Sequence, residues 1–139
     1  MATRKRVVEV PTRRRSVLEV RAIRVRVLHD EDPDPSYFDS GDSESKDQDE
    51  ERRKEYENGD FSFVGVRAEA EVVVENVIQT ITSGGLWGIE SDSGEGYIED
   101  VALEEYDNLR EILKAIGVST SQVPVGDKTM IGPLIKWEA

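Results

Sequence analysis

Alternation of apolar and charged residues is clearest over residues 61–74, FSFVGVRAEAEVVV. Val64, Val66, Ala68, Ala70, Val72 and Val74 fall on one side of a period-2 pattern, and Arg67, Glu69 and Glu71 on the other, which predicts a half-buried strand. The same alternation occurs over 20–28, where Ile23, Val25 and Val27 are interleaved with Arg24 and Arg26. Antiparallel pairing of the two would set Glu69 and Glu71 opposite Arg24 and Arg26. Cross-strand charge pairs of this kind contribute about 0.2–1 kcal/mol each. A third strand is expected at 77–83, VIQTITS, joined through Glu75-Asn76 either by a tight hairpin or by a slightly longer loop.

The period changes after residue 95. Ile98, Val101, Ala102, Leu109, Ile112, Leu113 and Ile116 recur at three- and four-residue spacing, the stripe of an amphipathic helix. Asp92 and Glu95 have capping-box spacing at its start, and Gly117 follows the last apolar residue as a C-terminal glycine. Glu99, Glu104, Glu105, Asp107 and Glu111 are assigned to its outer face. Beyond Gly117 the chain is rich in turn residues, with apolar pieces at 130–131 and 134–137 that suggest a terminal strand or clasp. The fold class expected is α+β: an antiparallel sheet of three or more strands with this helix on one face.

At 139 residues the chain is expected to form a single domain over 20–139, preceded by a basic arm at 1–19. Charge is unevenly distributed: residues 1–26 carry a net +7, and the remainder a net −19. The basic clusters at 4–6 and 13–15 allow the arm to touch nucleic acid or an acidic partner, or to fold back onto the protein's own acidic surface. Residues 30–60 hold 14 acidic and four basic residues, and no aliphatic side chain lies between Phe38 and Tyr56. Such composition cannot offset its ordering entropy by burial, so an acidic mobile loop is expected at about 30–57. Within it, 49–57 has the composition of a short exposed helix carrying part of the acidic surface formed by Asp47, Asp49, Glu50 and Glu51.

Candidate chemistry is sparse. His29 is the single histidine, at a strand end among carboxylates, and no nucleophile can be assigned to it. Asp30, Asp32 and Asp34 have the i, i+2, i+4 spacing of a calcium loop, but Pro35 and Gly41 stand where such a loop wants Gly and Glu. Glu90, Asp92 and Glu95 can gather a cation but also miss the pattern. Zero Cys excludes disulfides, zinc–thiolate sites and thiol nucleophiles. With no apolar run of bilayer length and no h-region behind the basic N-terminus, the compartment expected is the cytoplasm, away from membranes. No cofactor is expected.

Residues 83–97, SGGLWGIESDSGEGY, look at first like a phosphate cradle leading into a helix. There is no Lys after the glycines, the dinucleotide spacing is absent, and Glu90, Asp92 and Glu95 would repel a phosphate. The expectation is a structural junction: Gly84 and Gly85 bend the chain, Leu86, Trp87 and Ile89 close one end of the core, and Asp92 caps the helix. With GLWGIESDSG at 85–94 and Tyr97 ahead of an acidic helix, the chain resembles a family of small uncharacterised proteins, many from phages and mobile elements. The likeness extends back through FVGVRAEAEV to HDEDPDPSY, roughly 28–117. It implies a setting and carries no activity.

The function expected is that of a non-enzymatic acidic binding protein presenting carboxylates to a basic protein surface. Within the mobile-element setting it would be an inhibitor of a host defence or nucleic-acid-handling protein, acting by partial nucleic-acid mimicry. Duplex DNA itself is not an expected ligand, since phosphate neutralisation needs a basic face. One alternative is a divalent-cation module or metal-dependent enzyme built on Asp30, Asp32 and Asp34 or on the 90–95 loop. Another is an assembly protein that associates through an exposed strand edge. Sequence leaves the oligomeric state open.

Overall fold

The computed structural model describes residues 17–34 and 46–138. The basic clusters at 4–6 and 13–15 and the acidic stretch 39–45 lie outside the described residues. Strand β1 (Glu19–His29) is followed by helix α1 (Lys46–Glu57), strands β2 (Phe63–Val74), β3 (Val77–Thr82) and β4 (Leu86–Glu90), and helix α2 (Glu95–Ala115). A short helix α3 (Lys128–Ile131) and strand β5 (Ile135–Trp137) complete it. The architecture is α+β, a mostly antiparallel five-stranded sheet with α2 packed on one face.

The order is β3-β2-β1-β5. β1 and β2 pair antiparallel with Val25 opposite Ala68, Val27 opposite Val66 and Arg24 opposite Glu69. This register puts all the apolar alternates of both strands on the helix side. Ala68 and Ala70 are fully buried there and, being small, let α2 approach the sheet closely. Ile98, Val101, Ala102, Tyr106, Leu109 and Leu113 of α2 complete the core with Val118, Val123 and Ile131. The expected strand–strand ion pairs form on the opposite face. Glu69 takes hydrogen bonds from Arg24 (3.0 Å), Arg26 (3.0 Å) and Arg67 (2.6 Å), and the three guanidinium groups leave it 2% exposed. Glu71 lies 3.7 Å from Arg24.

β2 and β3 are joined by a two-residue turn, since Val74 pairs with Val77 and Glu75 takes the positive φ of 56°. The end of α2 is a Schellman motif. The Gly117 N–H (φ +100°) donates to Lys114 O at 3.1 Å and the Val118 N–H to Leu113 O at 2.9 Å. The C-terminal clasp is β5, parallel to β1 with Val25 beside Ile135.

Several expectations are corrected. The short exposed helix expected at 49–57 is present as α1 and begins earlier, at Lys46; Tyr56 packs against Phe61 and Phe63 at ring distances of 5.7 and 5.1 Å. At the arm's inner end, Leu18 packs on the core and Glu19 begins β1. Within the expected junction, Gly84 and Gly85 lie at the break after β3, and residues 86–90 form strand β4, pairing Ile89 with Val64 and Leu86 with Val66. Because β1 occupies the other edge of β2 along its length, β3 and β4 lie end to end on one edge.

Trp87 does not close the core: it is 42% exposed and lies flat over Gly65. A Cβ at Gly65 would sit 2.1 Å from the Trp87 ring, so only Gly admits this packing. Asp92 does not cap α2 either. The cap position is Gly94, which makes no side-chain bond, because the Asp92 carboxylate is turned toward Arg52.

Candidate functional site

The composite β3–β4 edge is broken at two places, and the backbone groups freed there are met by carboxylates. Between Thr82 opposite Glu69 and Leu86 opposite Val66, three residues face two. That is a bulge, and Gly85 (φ +85°) carries its left-handed turn. The Ser83 hydroxyl takes the Ala68 N–H at 2.9 Å in place of a backbone carbonyl. Below it Glu105 Oε1 accepts from the Ser83 hydroxyl at 2.8 Å and from the Gly85 N–H at 2.7 Å, while Oε2 accepts from Asn108 at 3.2 Å. Glu105 is 6% exposed.

A second irregularity follows where Trp87 and Gly88 together face Gly65, with Gly88 at φ +76°. Its N–H is met by Asp30, whose Oδ2 accepts from Gly88 at 3.0 Å and whose Oδ1 accepts from the Asp32 N–H at 3.1 Å. The Asp30 N–H in turn donates to Phe63 O at 2.9 Å. A buried donor without a partner costs about 1–3 kcal/mol, so Glu105 and Asp30 are fixed by the fold.

This corrects the placing of Glu105 on the partner surface. Ile98, Ala102, Glu105, Leu109 and Leu113 step by four, three, four and four residues down the buried side of α2, so Glu105 belongs to the apolar stripe by position. The outward face is a different set. Asp100, Glu104, Asp107 and Glu111 are spaced i, i+4, i+7, i+11, opposite the core stripe, and all four are exposed. Asp100, absent from the sequence-based set, belongs here by the same spacing rule.

Along this stripe Asp100 pairs with Lys128 at 3.0 Å and Glu111 lies 3.5 Å from Lys114. Glu104 and Asp107 have no ion pair among the described residues. Glu99 sits half-buried at the stripe's flank. On α1, Asp47, Glu50 and Glu51 are exposed and Asp49 is half-buried.

The 90–95 loop already has its cation. Arg52 of α1 bonds Glu90 at 2.5 Å, Glu55 at 2.5 Å and Asp92, while its guanidinium lies 3.7 Å from the centre of the Phe61 ring. The hydrogen bond from Arg52 holds the Asp92 carboxyl below its usual range, against the opposing effect of burial. Among the described residues no group of three or more His, Asp or Glu side chains is placed to hold a metal ion. Asp30 is engaged on both oxygens, and Asp32 and Asp34 are exposed. His29 is exposed at the end of β1, on the rim of an open depression lined also by Glu31, Asp32, Trp87 and Glu138.

No described helix is long and apolar enough to cross a membrane. No known protein family, curated protein or solved structure matches this chain.

Proposed function

We propose that the chain is a non-enzymatic acidic binding protein that engages a basic protein surface through the outward stripe of α2. Asp100, Glu104, Asp107 and Glu111 would supply the principal contacts, with Asp47, Glu50 and Glu51 of α1 as a further acidic face. The observation that carries this reading is the segregation on α2: one carboxylate is turned inward to hold a bulge, and four stand in a single exposed row. Successive members are about 4.5–6 Å apart along the axis. A rigid row of negative charge on a packed helix is preorganised for a cationic groove.

The net −19 charge outside the first 26 residues favours fast, steered association that weakens with salt. The likeness of 85–97 to mobile-element proteins supports a finer reading, an inhibitor of a host nucleic-acid-handling or defence protein that imitates the phosphate row its target binds. In this reading the protein works in the cytoplasm, away from membranes. The cation-module reading is less well supported, since Asp30, Glu90 and Asp92 already have partners within the fold.

Affinity capture with the full chain as bait, at low and at moderate salt, tests the proposal. A basic, nucleic-acid-handling protein retained at low salt and weakened at moderate salt is the expected result. Recovery of no basic protein in either condition contradicts it.

A further inference from the structure

The edge formed by β3 is unlike the rest of the surface. In a chain that is 35% charged, residues 76–85, NVIQTITSGG, contain no charged residue and no proline. Natural sheets usually protect an exposed edge with charge, proline or a bulge. Here the bulge begins only after Thr82, leaving six residues of regular strand. The Ser83 N–H donates inward to Ala68, and Val74 pairs with Val77 at the hairpin. By the two-residue alternation of an antiparallel ladder, Ile78, Thr80 and Thr82 therefore turn their N–H and C=O groups away from β2. β3 is one edge of the sheet among the described residues, with β2 as its partner strand.

Beyond Glu105, whose carboxylate is turned into the bulge, the flank of α2 above this edge is uncharged at Asn108, Ile112 and Ile116. Glu105 places one side of α2 over Ser83. Asn108, Ile112 and Ile116 follow on that side at i+3, i+7 and i+11. The seven residues from Glu105 to Ile112 rise about 10 Å, the length of about three strand residues, which brings Ile112 level with Thr80 and Ile116 toward Ile78. Ile112 is 37% and Ile116 45% exposed; on β3, Val77 at 55% shares the helix face with its partner Val74, while Ile78 at 45% lies on the other face of the sheet with its partner Val73.

We propose that β3 and this flank of α2 form the interface of a two-fold symmetric homodimer in which β3 pairs antiparallel with β3 of a second copy. A second copy is the occupant that the chemistry fits. An antiparallel strand pair about a two-fold axis is self-complementary. The uncharged flank is where two chains of net charge −12 can meet without direct like-charge contact. With the axis at Thr80, Thr80 faces its own equivalent, a favourable cross-strand pair, and Ile78 faces Thr82. Pairing of six residues alone falls short of the about 800 Å² per partner of a stable interface, so the isoleucines of α2 are a required part of it. The stripe of α2 lies on another side of that helix and stays open, so this inference is independent of the proposed function.

Sedimentation velocity on the full chain, with Thr80→Lys and Ile116→Lys variants, tests it. Wild type is expected to sediment as a dimer and both variants as monomers with unchanged circular dichroism, since both side chains are exposed. Should a variant fail to fold, amide exchange in wild type decides: Ile78, Thr80 and Thr82 should be protected above the dissociation concentration and fast-exchanging below it. A monomer into the millimolar range, a dimer indifferent to both substitutions, or edge amides that do not respond to dilution overturns the proposal.

Discussion

Glu105 Oε1 accepts the Ser83 hydroxyl at 2.8 Å, so a carboxylate in the middle of an otherwise apolar helix face secures the break between two strands. The same oxygen takes the Gly85 N–H. Glu105→Ala removes the acceptor from two donors at once and is expected to cost about 2–4 kcal/mol, whereas Glu105→Gln keeps an acceptor and costs about 1. Urea unfolding of both variants checks the order. Equal effects, or none, would contradict the assignment.

Gly65 and Trp87 make a prediction of coupling. A methyl at Gly65 would lie 2.1 Å from the ring, so Gly65→Ala should destabilise by about 1–3 kcal/mol. Most of that loss should vanish in a Trp87→Ala background, because the clash has one source. A double-mutant cycle measures it, and additive effects would show that the indole is not what excludes the side chain.

Acid sensitivity should run through Glu69. Burial pushes its carboxyl up, but hydrogen bonds from Arg67, Arg26 and Arg24 together pull it below the ordinary 4.5. A folded-state value lower than the unfolded one gives stability that is complete above the unfolded value and is lost as pH falls through the folded one. The stability gap between wild type and Glu69→Gln should therefore be widest near neutrality and narrow below about pH 4. Thermal unfolding across pH tests this; a constant gap would exclude the mechanism.

Arg52 should control α1. With its bonds to Glu90 and Asp92 and its stacking on Phe61 removed, Arg52→Ala is expected to speed amide exchange throughout α1 while leaving β1 and β2 protected. A local cost of about 1–2 kcal/mol follows from losing partly buried, charge-assisted bonds. Lys should rescue poorly, since one ammonium cannot serve three carboxylates and a ring together.

The sequence carried β1, β2, β3 and α2 legibly because their periodicity is long: Ile23 to Val27, Val64 to Val74, and Ile98 to Ile116 each repeat several times. The Arg24–Glu69 pair was readable for the same reason. β4 was not, since its five residues hold Gly88 and an exposed Leu86 and Trp87, with bulges that break the alternation. Asp92 has capping spacing, but Arg52 arrives from a distant helix and takes its carboxylate, a tertiary contact that local pattern cannot register. The charge of Glu105 points to the outer face, whereas the steps from Ile98 through Ala102 to Leu109 put it inside. Asp100 belongs to the outward row by both its charge and its spacing from Glu104.

The division of α2 into an inward carboxylate that serves the fold and an outward row that serves a partner is best tested by capture with altered bait. Asp100→Asn, Glu104→Gln, Asp107→Asn and Glu111→Gln combined should leave the thermal midpoint near that of wild type, because all four are exposed and surface ion pairs contribute little. The same bait should lose the basic protein that wild type retains at low salt. Retention of that protein by the neutralised helix at wild-type level would contradict the account.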